Sequence, residues 1–264
     1  MCATNIRVFR VFLSAFFGLL FGFAAGLIGV GGGEFRLPVL LYVANLPILI
    51  SVAVNLVIGL LSVSTSFLRR FQLGIFSQES LWIALTMSIG SIIGAYMGAT
   101  LTGKLPTKIL KKLLAIFLIL VGFRIISEPL WGWPIGKVSL TEPALSILAV
   151  LSGLVIGVIS GMFGVAGGEF RIPILMFLFG MDIKLAGTTS LLVSIPTISS
   201  GLLKHQRMGH MNSYGVIVAV SMGIATIIGS YMGASLAAEA PESTLKIILG
   251  LILILATIRM ITKP

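Results

Sequence analysis

Cysteine is almost missing: Cys2 is the only one in 264 residues. The chain can close no internal disulfide and build no cysteine metal cluster. Histidine is nearly as scarce. With His205 and His210 alone, a catalytic metal centre has too few ligands, and no metal site or other cofactor is expected. Charge is the third shortage, at 10% of residues, against about 25% in an ordinary soluble domain. That leaves no solvated face for a soluble domain to present. No GxxxxGK[ST] stretch occurs, so nucleotide hydrolysis has no phosphate loop to work with. An intramembrane enzyme would need an activated nucleophile or a metal, and the terminal cysteine and two histidines near a loop supply neither. The expectation is a protein that is not an enzyme.

Apolar residues fill the space, at 57% of the chain. Eight runs, 11–30, 48–68, 80–101, 109–126, 143–165, 185–203, 214–238 and 244–262, are long enough to cross the hydrocarbon as helices. About 30 Å at 1.5 Å per residue requires roughly 20 residues. Their continuity differs from the alternating ten-residue segments of a membrane β-barrel. The fold class is therefore all-α, a polytopic protein of the lipid bilayer. A net charge of +10 does not point to nucleic acid here, because the bases sit mostly in short loops, where they orient the spans. Arg7 and Arg10 before the first run resemble a signal peptide. Its counterpart, 143–165, lies mid-chain, so the first run is expected to stay as a helix.

That counterpart exists because the chain is one unit written twice, at a constant offset of 135 residues. GLIGVGGGEFRLP (26–38) returns as GMFGVAGGEFRIP (161–173), with nine of thirteen residues identical and no gap. Gly94-Ala-Tyr96-Met-Gly98 returns as Gly229-Ser-Tyr231-Met-Gly233. The organisation is a first transmembrane repeat (1–127), a linker (128–142) whose tryptophans suit the membrane interface, and a second repeat (143–264). Each repeat reads as about five helical segments, the second of them (34–46 and 169–181) too short to cross comfortably. It is either a half-helix or part of a re-entrant hairpin. An odd number of crossings per repeat would invert the second repeat relative to the first. Loop charge agrees: 102–112 carries Lys104, Lys108, Lys111 and Lys112, whereas 237–247 carries Glu239, Glu242 and Lys246. Equivalent loops so unlike in charge belong in opposite compartments. The expectation is two inverted-topology repeats in the cell (plasma) membrane, multi-pass, with both termini cytoplasmic.

Glycines four apart line helix faces at Gly18/Gly22/Gly26, Gly153/Gly157/Gly161, Gly90/Gly94/Gly98 and Gly229/Gly233. Small residues let helix backbones approach closely, for tight packing or as a smooth surface on which a helix slides, and such faces could also join a homodimer. The adjacent glycines Gly31, Gly32 and Gly33, and Gly167 and Gly168 in the second repeat, do something else. They interrupt a helix at membrane depth, and each interruption precedes a short helix. Inverted repeats bring two such helix starts together near the midplane, with free N–H groups aimed at an anion. Glu34, Arg36, Glu169 and Arg171 follow directly. Charges at this depth are functional by default. A crossed clamp, Glu34 with Arg171 and Glu169 with Arg36, is one reading. Arginines that bind substrate, with the glutamates exchanging a coupling proton, is the other. Asn55, Thr188, Thr189 and Ser190 are neutral candidates to line a substrate path. His205 reads as a loop residue, either solvated or part of a gate.

The run Gly-x-x-Gly-x-Gly-Gly-Gly with a following proline, AGTTSLLVSIPT (186–197) and HQRMGHMN (205–212) together resemble the TauE/SafE sulfite-exporter family, through both repeats. The resemblance implies secondary transport of sulfur-containing anions such as sulfite or a sulfonate. This chain departs from the family pattern at Glu34, Arg36, Glu169 and Arg171, and with SVAVNL at 51–56. Added arginine suits a more highly charged or bulkier anion. The expected function is a secondary transporter of such an oxyanion by alternating access. Its rival is a cation- or proton-coupled carrier of another small solute using Glu34 and Glu169, and a membrane scaffold is a third class.

Overall fold

The computed structural model describes residues 2–102, 108–132 and 142–262, and these are helical throughout apart from short turns. Residues 103–107, which include Lys104, and most of the linker fall outside the described residues. The ten helices are α1 (Cys2–Ile28), α2 (Gly33–Pro38), α3 (Ile48–Gln72), α4 (Gln78–Leu101), α5 (Lys108–Trp131), α6 (Glu142–Phe163), α7 (Gly168–Phe177), α8 (Ile183–Arg207), α9 (Ser213–Glu239) and α10 (Glu242–Thr262). Seven of them, α1, α3, α4, α5, α6, α8 and α9, are long and apolar enough to cross a membrane. The eighth apolar run forms α10.

The offset seen in the sequence recurs in the boundaries. Helices α3 and α8 start and stop 135 residues apart, as do the end of α1 and the end of α6, and the starts of α2 and α7. Caps follow suit. Ser77 caps α4 through the Ser80 amide, and Asn212, its counterpart, caps α9 through the Gly215 amide. The copies differ where the short helix ends. Helix α7 closes on Gly180 at φ 66°, whereas α2 runs on as a π-helical turn (Val39–Val43) and closes on Asn45 at φ 56°. Asparagine is among the few side chains that take this left-handed turn at low cost.

Packing crosses between the repeats. Helix α1 lies along α9 and α6 along α4, each pair parallel, and the glycine faces form the seams. A Cβ on Gly22 would stand 2.6 Å from the Thr226 carbonyl. Gly153 meets Met87 and Gly157 meets Ser91 in the same way. These small faces make close contacts inside one chain. Equivalent helices meet head to tail. In the α3/α8 pair Gly59 faces Ile198 while Leu56 faces Gly201, and in the α5/α10 pair Gly122 faces Ile254 while Ile126 faces Gly250.

The short helices resolve into a mixed crossing. Gly26 lies beside Arg70 near the end of α3, Gly31 beside Val63, and Gly33 beside Asn55 near its start. The chain therefore turns back after α1 and descends along α3, first as non-helical glycine-rich backbone and then as α2. Residues 25–33 and 164–173 are buried along their whole length, the condition for non-helical backbone at this depth.

Candidate functional site

Each short helix starts from a glycine in the left-handed region, Gly32 at φ 65° and Gly167 at φ 77°. A side chain there would be strained. The two starts touch. A Cβ on Gly33 would lie 3.1 Å from Val165 Cα, and one on Gly168 would lie 2.6 Å from Val30 Cα, its counterpart contact. The expectation that the two breaks meet is met by this contact.

Asn55 ties them together. Its Nδ2 donates to the Gly33 and Gly164 carbonyls, both at 2.8 Å, so one amide bridges the breaks of both repeats. Its Oδ1 accepts from Arg36 Nε at 3.2 Å. Both of its N–H groups go to backbone and its oxygen accepts from Arg36, so Asn55 holds the two breaks and Arg36 together. Ser190 holds the equivalent position with a shorter side chain. Its hydroxyl has no partner, and its carbonyl accepts from Arg171 Nη1 at 3.1 Å.

Both arginines are fully buried. Arg36 Nη1 and Nη2 have no hydrogen-bond partner among the described residues, nor do Arg171 Nε and Nη2. Arg171 Nη1 donates to Ser194 Oγ at 2.7 Å. Neither arginine makes the crossed ion pair: Arg36 turns to Asn55 in place of Glu169, and Arg171 to Ser194 in place of Glu34. Glu34 lies two residues from Arg36 on α2, and Glu169 two residues from Arg171 on α7. Two guanidiniums are thus held in the protein interior with four N–H-bearing nitrogens uncommitted. Such burial costs several kcal/mol per ion unless something repays it. Thr189 Oγ1 and Ser190 Oγ are buried and unpartnered as well. Thr188 differs: its hydroxyl donates to the Lys184 carbonyl and accepts from Arg70, away from this centre.

Arg70 is the residue that sequence reasoning passed over. It is fully buried, and its Nη2 donates to the Leu27 carbonyl at 2.8 Å and the Gly26 carbonyl at 3.0 Å, closing the last turn of α1. Nη1 reaches the Lys184 carbonyl at 3.2 Å. The only signal was its alignment with His205. His205 is no loop residue; it is buried in the last turn of α8, and its Nε2 meets the Gly161 carbonyl at 3.3 Å. Gly161 is the counterpart of Gly26, so arginine and histidine cap equivalent helix ends. A carbonyl only accepts, so a neutral His205 carries its proton on Nε2. Its Nδ1 then accepts from His210 Nδ1, 2.9 Å away.

The family model for the sulfite exporter TauE/SafE matches residues 3–125 and 148–264. The chain belongs to the TauE/SafE sulfite exporter family. Among relatives in this company, a probable membrane transporter protein of Haemophilus influenzae is 30% identical over 271 residues, covering 96% of this chain and 98% of its own. The probable membrane transporter protein YdhB of Bacillus subtilis is 26% identical over 86% of this chain and 90% of its own. YunE of the same organism, also a probable membrane transporter protein, is 27% identical over 108 residues, which is 38% of its length. No solved structure matches the chain. Membership makes it a multi-pass membrane transporter.

Proposed function

We propose that this transporter moves small oxyanions, of which sulfite and sulfonates are the first to test, by alternating access at the meeting point of α2 and α7. The observation that carries the reading is the set of uncommitted guanidinium nitrogens on Arg36 and Arg171, buried beside two helix starts whose dipoles favour negative charge. An oxyanion is the complement to such forks, because it accepts two parallel N–H bonds at once. Thr189 and Ser190 add neutral donors beside them.

The movement we propose is a rocking of two inverted repeats. The head-to-tail meeting of α3 with α8 and of α5 with α10 supports inversion, since each pair consists of equivalent helices. Both termini then face the cytoplasm, as the loop charges favour, and the membrane is the plasma membrane. A coupling proton, exchanged by Glu34 or Glu169, completes the proposal.

The test is flux into proteoliposomes of sulfite and sulfoacetate with Arg36→Gln and Arg171→Gln. Losing one charged hydrogen-bonding fork removes about 2 kcal/mol of substrate binding, roughly thirtyfold in affinity. Unchanged flux in both variants would remove the arginines from the site. Binding of divalent cations in place of anions, measured by calorimetry on the same preparation, would favour the carrier built on Glu34 and Glu169.

A further inference from the structure

Helices α4 and α8 run parallel at the lipid-facing surface and enclose a groove of about 640 Å³ between Ile92, Ile93 and Met97 on one wall and Pro196 and Leu203 on the other. The two serines that line it spend their hydroxyls elsewhere: Ser200 donates to the Ile92 carbonyl and Ser199 to the Ile195 carbonyl, both at 2.8 Å. The walls are thus apolar until the groove reaches Tyr96, where Lys204 Nζ sits 5.0 Å above the ring centroid. Arg207, exposed, follows at the end of α8.

The equivalent seam, between α3 and α9, shows why the groove exists on one side. Leu61 stands where Pro196 does, and its Cδ1 lies against Gly223, 2.8 Å from where a Cβ would be. That leucine fills the space. The cation differs as well. Arg69, the counterpart of Lys204, donates to Ser235 Oγ at 2.7 Å and stacks 4.8 Å above Tyr231. Lys204 has the aromatic ring but no hydrogen bond or ion pair among the described residues.

We propose that this groove binds an anionic phospholipid, with part of one acyl chain laid between α4 and α8 and the headgroup phosphate held by Lys204 and Arg207. The bilayer offers acyl chains to any outward apolar groove, and the charge at its end selects among headgroups. From Pro196 to Leu203 the wall is about 10 Å long at 1.5 Å per residue, so it takes part of a chain and leaves the headgroup at the helix end. Basic residues at such an end attract anionic lipid. The uncommitted ammonium of Lys204 is the complement of a phosphate.

The experiment places purified full-length protein in nanodiscs of equimolar phosphatidylglycerol and phosphatidylcholine and counts retained lipids by native mass spectrometry. Wild type is expected to retain phosphatidylglycerol about fivefold over phosphatidylcholine, as one or two juxtaposed cations allow. Lys204→Gln with Arg207→Gln should bring that ratio towards one without reducing total lipid. Pro196→Leu, which copies Leu61, should reduce retained lipid of both kinds. No preference in wild type would overturn the proposal, as would full retention by a folded Pro196→Leu protein. Disulfide cross-linking of two chains through Ile93→Cys, in a Cys2→Ser background, would overturn it in favour of a second copy. Should Pro196→Leu fail to fold, the surface pair still decides the headgroup half. None of these readouts depends on the transported substrate.

Discussion

Replacing Arg70 by lysine separates the geometry of a buried guanidinium from its charge. Lysine keeps the positive charge, so the cost of burying it stays. The fork goes. Arg70 now makes five hydrogen bonds to four acceptors: the carbonyls of Gly26, Leu27 and Lys184 and the Thr188 hydroxyl. An ammonium has three N–H groups on one atom and cannot span a set that reaches from α1 to α8. At least two of the five bonds are lost, at about 1.5 kcal/mol or more each for a charged donor, so the variant should be destabilised by roughly 3 kcal/mol. At about 2–4 °C per kcal/mol for a chain of this size, thermal unfolding should fall by about 6–12 °C. The assay is unfolding in detergent followed by tryptophan fluorescence, with Arg69→Lys as the control. Arg69 is only partly buried and makes one hydrogen bond and one ring contact. Its variant should stay within about 2 °C, as partly exposed groups do. Equal shifts for the two variants would refute the argument that Arg70 fastens the end of α1.

Other substitutions probe neighbouring claims. Asn55→Ser gives the first repeat the residue of the second and removes the bridge from Gly33 to Gly164; substrate affinity should fall about tenfold as Arg36 loses its Nε support, read as the ligand-induced shift in melting temperature. Gly22→Val forces a branched side chain against the Thr226 carbonyl at the α1/α9 seam and should abolish folded protein in size-exclusion profiles, whereas Gly74→Val, at a turn glycine with open space around it, should leave a folded though strained protein. His205→Arg copies Arg70 onto the end of α6; it should raise the melting temperature and slow flux in proteoliposomes, and faster flux would count against a gate at that end. A reporter fused at Pro264 should read cytoplasmic, and an extracytoplasmic signal would reject the assigned orientation.

Helix content, span positions and the 135-residue offset were legible because apolar run length and repetition are local properties of the chain. The meeting of the two glycine breaks was legible too, since duplicated motifs at membrane depth have few other places to go. The pairing of the arginines was not. Formal charge balance suggested crossed ion pairs, but which side chain an arginine reaches depends on the depth at which each short helix starts. Here that depth is set by Asn55 and Gly33. Arg70 escaped notice because it sits in an Arg-Arg pair at a helix end, a pattern shared with solvated loops. Burial separates the two residues: Arg70 points inward to α1, and Arg69 packs over Tyr231 on α9. His205 was misplaced for the same reason, since histidine, arginine and glycine in one short stretch read as a loop.

The residues that the two repeats keep in common and those they have changed fall into a pattern. Gly32 with Gly167, Gly33 with Gly168, Glu34 with Glu169 and Arg36 with Arg171 are the same in both copies, whereas Gly31 is matched by Ala166, Asn55 by Ser190 and Arg70 by His205. The unchanged set meets at the interface between the repeats; of the changed pairs, Asn55 bridges the two breaks, while Arg70 and His205 fasten the ends of α1 and α6. A strictly two-fold site would offer any ligand two equal poses. An oxyanion that lacks a two-fold axis gains from a site whose halves differ. Here the difference lies in how each arginine is held: Arg36 by an amide through Nε, Arg171 by a hydroxyl through Nη1. The same asymmetry reaches the helix ends. A five-bond arginine clamp holds α1, and a histidine held by one carbonyl and a second histidine holds α6. The end of α6 is therefore the weaker of two equivalent fastenings, and a rocking motion between the repeats should release it first.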